Sequence, residues 1–332
     1  MVPATKEIAV KNALQLTFGV SEWEDIKELT AGLSPALVFR IVVLGKAYLL
    51  RIITRTDMAG DPTHEYACMK AAAEAGIAPR IWYMSIADRI AITDFVAATT
   101  FQIKEARIQL PAVLKRLHSL PPFSHRVHYL DMADRYMRKF QEAGLLPESM
   151  ITELVRLHTH IIGVYPRNQE DMVACHNDLK PENILFDGTK AWIVDWEAAF
   201  LNDRYVDLAI IANFVVTNEA EEMVYLKSYF GESVTIYHRA RFFLMRQLLH
   251  LFYITVFLSL VAAAGVPIDW TLSRPDFRSF HARMWAGEIS LANHDARQQY
   301  AWVHMDQLLY NVQLPRWEEA LDIVAGGSGY VA

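Results

Sequence analysis

"VACHNDLKPENILFDGTKAWIVDWEAAF", residues 173–200, sets a histidine, several carboxylates, an asparagine and a lysine between two apolar runs. "NILF" and "AWIVDW" flank "DGTK", and an Asp-Gly pair between two short β-prone runs predicts a two-strand hairpin. Ahead of it, His176 opens a loop on which Asp178 and Asn183 lie five residues apart, and Asp195 follows the second strand. A loop, a hairpin and the residue just past it can bring Asp178, Asn183 and Asp195 to one end of a small sheet.

Upstream, residues 1–19 read as an amphipathic helix, because Lys6, Glu7 and Lys11 stand where a signal peptide would carry its apolar segment. Residues 23–55 change character. Runs of Val, Ile, Leu, Phe and Tyr are broken by "AGLSP" and "LGKA", which predicts three strands joined by a loop and a tight hairpin. Residues 61–75 follow as a helix with Pro62 near its start and Gly76 past its end, then residues 81–84 and 90–95 as two more strands. From residue 101 on the periodicity is helical, at 105–118, 129–143, 148–162 and most of 203–332, interrupted only by the 173–200 stretch. The order is a small sheet with one helix, a connector at 94–100, and a large helical part. That is an α+β chain of two lobes, divided as residues 1–96 and 97–332.

Bulk properties narrow the partners. Lys plus Arg number 32 against 38 Asp plus Glu, a net charge of -6, which is the wrong sign for a nucleic-acid binder. Cys68 and Cys175 are the only cysteines and have no metal-like spacing, which points to a reducing, cytoplasmic setting. Residues 248–265, "LLHLFYITVFLSLVAAAG", are nearly long enough to span a bilayer, but they contain His250 and follow Arg241 and Arg246. They are expected as a buried helix, with no membrane span.

The acids and the amide fit phosphoryl transfer from ATP. That reaction needs a carboxylate to accept or orient the attacking hydroxyl, and carboxylate and amide oxygens for Mg2+. Asp178 suits the first task, Asn183 and Asp195 the second. The spacing H-x-D-x-x-x-x-N, followed by a strand and an Asp, resembles the catalytic loop and metal-binding Asp of the protein-kinase-like fold. "HNDLKPEN" differs from a protein kinase's loop only at Asn177, yet there is no G-x-G-x-x-G, "DWE" stands for D-F-G, and no A-P-E follows.

A closer resemblance is to the choline/ethanolamine kinase and aminoglycoside phosphotransferase families. "CHND" at 175–178, "IVDWE" at 193–197 and "AGLSPALVFRI" at 31–41 look like choline-kinase motifs, and "RLHSLP" at 116–121 is similar to a segment common across these phosphotransferases. The likeness covers residues 29–207 and is weak in the last hundred residues. It implies a bilobal protein-kinase-like fold, with a nucleotide-binding lobe ahead of a catalytic and acceptor-binding lobe. It also implies an ATP- and Mg2+-dependent transfer of the γ-phosphate to a hydroxyl of a small molecule.

Residue by residue, the resemblance implies that Arg51 on the third strand holds the ATP phosphates and pairs with Glu65. Gly32 and Ser34 would lie over the phosphates, and Thr93 and Phe95, in "TDFV", would meet adenine. Lys180 would contact the transferred phosphate. Asp207, in "RYVDLA", is expected to anchor the loop rather than touch substrate. Glu197 and Asp203 are candidate pocket acids that would favour a cationic acceptor such as an amino alcohol or aminoglycoside. Choline kinases carry two tryptophans on an acceptor-side helix; here residues 242–260 offer His250, Phe252, Tyr253 and Phe257 instead, and Trp270, Trp285, Trp302 and Trp317 read as core.

Two other readings stay open at this level. A protein kinase would share the loop, although only eleven residues lie between Asp195 and Asp207, little room for a peptide platform. A catalytically silent nucleotide-binding pseudokinase usually loses the loop Asp or the metal Asp, and both are kept here. The acceptor and the oligomeric state are not fixed by the sequence.

Overall fold

A computed structural model describes residues 2–29, 36–124 and 126–327. The chain divides into two compact units, one made of residues 1–101, 123–125 and 182–199, the other of residues 102–122, 126–181 and 200–332. The 182–199 segment therefore clusters with the N-terminal sheet and not with the helices that flank it in sequence.

In the first unit, helix α1 (Ala4–Phe18) ends at Gly19, whose left-handed φ of 74° closes the helix. Strands β1 (Asp25–Glu28), β2 (Ala36–Val43), β3 (Lys46–Ile53), β4 (Ile81–Ser85) and β5 (Ile90–Asp94) form an antiparallel sheet in the order β1-β2-β3-β5-β4. The β2–β3 turn is tight because Leu44 and Gly45 both take positive φ, 50° and 73°, which matches the twist of the flanking strands. Along β3, Tyr48, Leu50 and Ile52 point into a core shared with Val10, Ala13 and Leu14 of α1. The period of two turns Arg51 to the opposite face.

Helix α2 (Thr63–Glu74) is started by Asp61, whose carboxylate accepts from Thr63 N at 3.0 Å. The hairpin strands β7 (Ile184–Phe186) and β8 (Ala191–Ile193) pair as read from the sequence. Lys190 Nζ donates to Gly76 O at 2.8 Å and Ile193 N to Ile77 O at 3.0 Å, which fastens the hairpin to the end of α2. Thr99 N donates to Phe186 O at 2.7 Å, and Phe101 stacks on Phe186 at 4.2 Å.

The second unit holds α3 (Ile103–Leu117), α4 (Tyr129–Ala143), α5 (Glu148–Val164), α6 (Arg204–Val215), α7 (Glu219–Phe230), α8 (Ile236–Ala263), α9 (Phe277–Trp285), α10 (His294–Asn311) and α11 (Pro315–Ala325). It also contains a short antiparallel ribbon, β6 (Met172–Cys175) with β9 (Phe200–Asp203), that the sequence reading did not include. Four-residue strands are too short to show alternation, and their pairing spans the whole hairpin between them. Helix α8 is long and apolar enough to cross a membrane by length and composition, but 61% of its apolar window is buried, packed by α10, α11, α6, α4 and α5. A Thr235–His238 capping box starts it.

Two of the four expected core tryptophans behave as read, Trp302 and Trp317 being buried. Trp270 does not: it is 47% exposed and lies against Trp302 at 5.3 Å. Trp285 is half-buried beside Phe214.

Candidate active site

The loop that leaves β6 is pinned by one carboxylate. Asp207, fully buried in the first turn of α6, accepts from His176 N at 2.9 Å and Asn177 N at 2.7 Å, and its Oδ2 lies 3.2 Å from His118 Nε2. The helix N-terminus favours a negative charge there. His118 is held from the other side by Tyr229 Oη at 2.6 Å. Asp207 therefore fixes loop backbone, as expected.

Asn177, the one departure from the protein-kinase loop, has a reason. Its φ of 66° is left-handed, which asparagine tolerates better than most residues. Its Oδ1 accepts from Asn202 Nδ2 at 2.8 Å, and Asn202 Oδ1 in turn accepts from Tyr129 N at 3.2 Å. Asp178 N donates to His176 Nδ1 at 3.3 Å. His176 is thus a buried structural part of the loop. At its surface end, Lys180 Nζ lies 2.7 Å from Asp178 Oδ2.

Arg51, Glu65, Thr93, Phe95, Asn183, Asp195 and Glu197 fall in the sheet-bearing unit. Arg51, 12% exposed, makes an ion pair with Glu65 of α2 and lies 3.6 Å from Asp195 Oδ1 and 3.9 Å from Glu197 Oε2. A buried guanidinium needs such partners, and three carboxylates around one cation leave a net negative set. Asp195 takes φ 67°, and Val194 N donates to Asn183 O at 3.0 Å, so Asn183 and Asp195 flank the two ends of the hairpin. Asn183 is 4% exposed, Glu197 49% on its side chain. Thr93 is buried near the end of β5 with Oγ1 donating to Asp94 O at 3.3 Å, and Phe95, just past it, carries Arg40 over its ring at 5.6 Å. Gly32 and Ser34 lie outside the described residues.

Asp203 must be corrected. It is not a pocket acid: Oδ1 accepts from Tyr205 N at 2.9 Å as the cap of α6, and Oδ2 pairs with Arg241 Nη2 at 3.1 Å. The residue is 4% exposed, and burial pushes its carboxyl up to about 6 against the pull of Arg241. Arg241 also contacts Asp171, itself 3.2 Å from Arg204, and its guanidinium lies over Tyr205 at 4.4 Å. A polar cluster this enclosed has no surface left for an acceptor.

His250 is likewise a core residue, bonded to His304. Tyr253 is half-buried, its ring against Tyr300 at 5.3 Å and His304 at 4.7 Å, and its phenol within electrostatic reach of Asp178.

Sequence reasoning missed two supporting residues. His118 sits inside "RLHSLP", a segment singled out by resemblance without a role for its histidine. Asn202 gave no signal, because its task depends on a contact with Asn177 twenty-five residues away. His118, Cys175 and Asp207 bring ligand-type atoms together, but they suit a metal poorly. Burial holds the Cys175 thiol protonated, and the Asp207 oxygens are taken by backbone N–H groups.

A family model described as phosphotransferase enzyme family matches residues 25–243. A curated relative, protein LicA of Haemophilus influenzae, is 38% identical over 69 residues, a match that spans 20% of this chain and 25% of that protein. Among solved structures, a choline/ethanolamine kinase family protein from Mesorhizobium loti superposes with a TM-score of 0.71 at 21% identity, covering 97% of this chain and 100% of that one. A spectinomycin phosphotransferase in complex with ADP and its drug superposes with a TM-score of 0.57 at 14% identity, covering 92% and 99%. The bilobal α+β, protein-kinase-like fold is therefore shared with both.

Proposed function

The chain belongs to the phosphotransferase enzyme family, and we propose that it is a small-molecule kinase that transfers the γ-phosphate of ATP to a hydroxyl of an amino alcohol of choline or ethanolamine type, or of an aminoglycoside-like compound. The observation that carries this reading is the Asp178 loop, whose backbone is bonded to buried Asp207 while Lys180 neutralises the side chain. Catalysis by orientation needs a carboxylate held this firmly.

In this proposal Asp178 orients the acceptor hydroxyl and takes its proton as the new P–O bond forms and the bond from the γ-phosphorus to the bridging oxygen breaks, releasing ADP. Lys180 and Arg51 oppose the charge of the phosphates; a guanidinium suits bidentate phosphate contact, and Glu65 keeps it aligned. Thr93 and Phe95 border the adenine. Asn183 and Asp195 would hold Mg2+, and the excess of carboxylates around Arg51 supports a divalent cation as their complement. Bound there, the ion would neutralise charge on the β- and γ-phosphates.

Glu197, half-exposed, is the acid left to attract a cationic acceptor once Asp203 is withdrawn, and Tyr253 offers an aromatic face for an ammonium group. Residues 1–96 would serve the nucleotide and 97–332 catalysis and the acceptor, with the metal-holding hairpin supplied by the second stretch. Two free, buried cysteines support a cytoplasmic setting.

A coupled ADP-release screen over choline, ethanolamine, thiamine, aminoglycosides and simple sugars tests this. One amino-alcohol or aminoglycoside acceptor should stimulate ADP release in the wild type. Asp195→Ala should lower that rate roughly a hundredfold or more, as loss of a transition-state charge clamp does. Asp178→Ala should abolish turnover while retaining ATP binding by calorimetry. Stimulation by sugars alone, or full activity in either variant, would reject the assignment.

A further inference from the structure

Three histidines lie in the core of the helical unit, beside Tyr253 but with no part in the reaction proposed above. His250 on α8 and His304 on α10 are fully buried, and His281 on α9 is 1% exposed. His250 Nδ1 and His304 Nδ1 are 2.6 Å apart, so one donates and the other accepts, and the two rings are opposite neutral tautomers. His281 Nδ1 donates to Phe277 O at 2.8 Å, which leaves its Nε2 as a bare lone pair. The Nε2 atoms of all three are buried without a hydrogen-bond partner.

The rings join three helices. His304 packs on His281 at 5.2 Å, on Tyr300 at 4.4 Å and on Tyr253 at 4.7 Å. Phe277 of α9 lies against His281 at 3.9 Å and His250 at 5.3 Å, and Phe214 of α6 closes on His281 at 5.1 Å. The charged neighbours are all of one sign. Arg246 of α8 acts on all three rings and Arg278 of α9 on His250 and His281; among the described residues no carboxylate does. Glu222 of α7, the acid nearest in charge to Arg246, is engaged by Arg239 and Arg316. α10 brings Tyr300 beside its own His304, and α6 brings Phe214. Two arginines oppose a metal cation here, and equally a proton.

We propose that His250, His281 and His304 form an acid-operated latch, which holds α9 and α10 on α8 while the three rings are neutral and releases them when the rings take protons. With the segment released, each ring regains its ordinary value of 6.5; closed, burial holds all three below it. The sign follows from linkage: the open form binds more protons, so opening is favoured as pH falls below 6.5. Each ring contributes about tenfold per pH unit, and three together roughly a thousandfold. The latch stands independently of the phosphate acceptor.

Native-state hydrogen exchange on the full chain at pH 7.5 and 5.5, corrected for intrinsic rates, reads it. Protection in α9, α10 and the facing part of α8 should fall at least a hundredfold, and in the sheet-bearing unit less than tenfold. The His250→Leu/His304→Phe variant should reduce the loss in α9 and α10 to about tenfold, one ring remaining. An undiminished loss in that variant, or equal loss in both units, would overturn the latch. Should the variant not fold, ring 15N shifts of the wild type decide: three rings that stay neutral down to pH 5.5 in the folded protein support it, and any ring titrating near 6.5 while folded overturns it.

Discussion

Asp207 shows how a residue that touches no substrate can govern one that does. Its two oxygens serve two consecutive backbone N–H groups, and its carboxylate lies beside His118 Nε2 in the first turn of α6. Asp207→Asn keeps the shape but turns a donor toward one of those amides. A charge-assisted bond is worth about 1.5–3 kcal/mol, so stability in urea should fall by about that amount. The turnover rate should drop more than the KM for ATP changes, because the loop that carries Asp178 is loosened while Arg51 and Glu65 are untouched. A KM effect alone would contradict this role. At Arg51 the charge itself is kept by Arg51→Lys, but the fork that spans Glu65 and Asp195 is lost. The expected result is a KM for ATP raised about tenfold or more by steady-state kinetics.

At the scale of elements, the junction between β9 and α6 depends on a charge cluster. Asp203 caps the helix, and Arg241 reaches from α8 to Asp203 and Asp171. Arg241→Met leaves enclosed Asp203 without its ion-pair partner and Asp171 with Arg204 alone, a loss that costs about 3–5 kcal/mol. Arg241→Met combined with Asp203→Asn and Asp171→Asn should recover much of that loss in equilibrium unfolding, since the uncompensated charges are gone. The same cluster explains why Asp203 reads wrongly as a ligand. An Asp ahead of a helix after a metal-binding motif looks available until a partner thirty-eight residues on is known.

For the whole molecule, the buried histidines make the helical unit sensitive to acid. His158, His238, His250, His281 and His304 are all shifted below their ordinary value by burial, His281 to about 3. A group lowered in this way binds fewer protons folded than unfolded, so its contribution is present above 6.5 and is lost as pH falls below it. Each fully neutral ring removes about 1.4 kcal/mol per pH unit in that range. Asp203, raised to about 6, acts oppositely between pH 6 and 3.8 and offsets one histidine at most. Urea midpoints measured at pH 7.5, 6.5 and 5.5 should therefore decline steeply over the last step, and a flat profile would contradict the neutral state of the core rings.

The sequence by itself determined the strands of the N-terminal sheet, the helices up to residue 162 and the hairpin after the loop, and its family resemblance implied the Arg51–Glu65 pairing and the anchoring task of Asp207. Those follow from local signals: alternation, helical period, an Asp-Gly turn, and a spacing that resembles one family's motif. Only the tertiary structure decided that Asp203 belongs to Arg241, that "MVAC" pairs with "FLND", that His118 and Asn202 support the loop, that Trp270 is exposed and that three histidines meet in the core. Contacts of that kind join residues distant in sequence, and whether a polar side chain is consumed or left for a ligand depends on which helix packs over it, which no local pattern encodes.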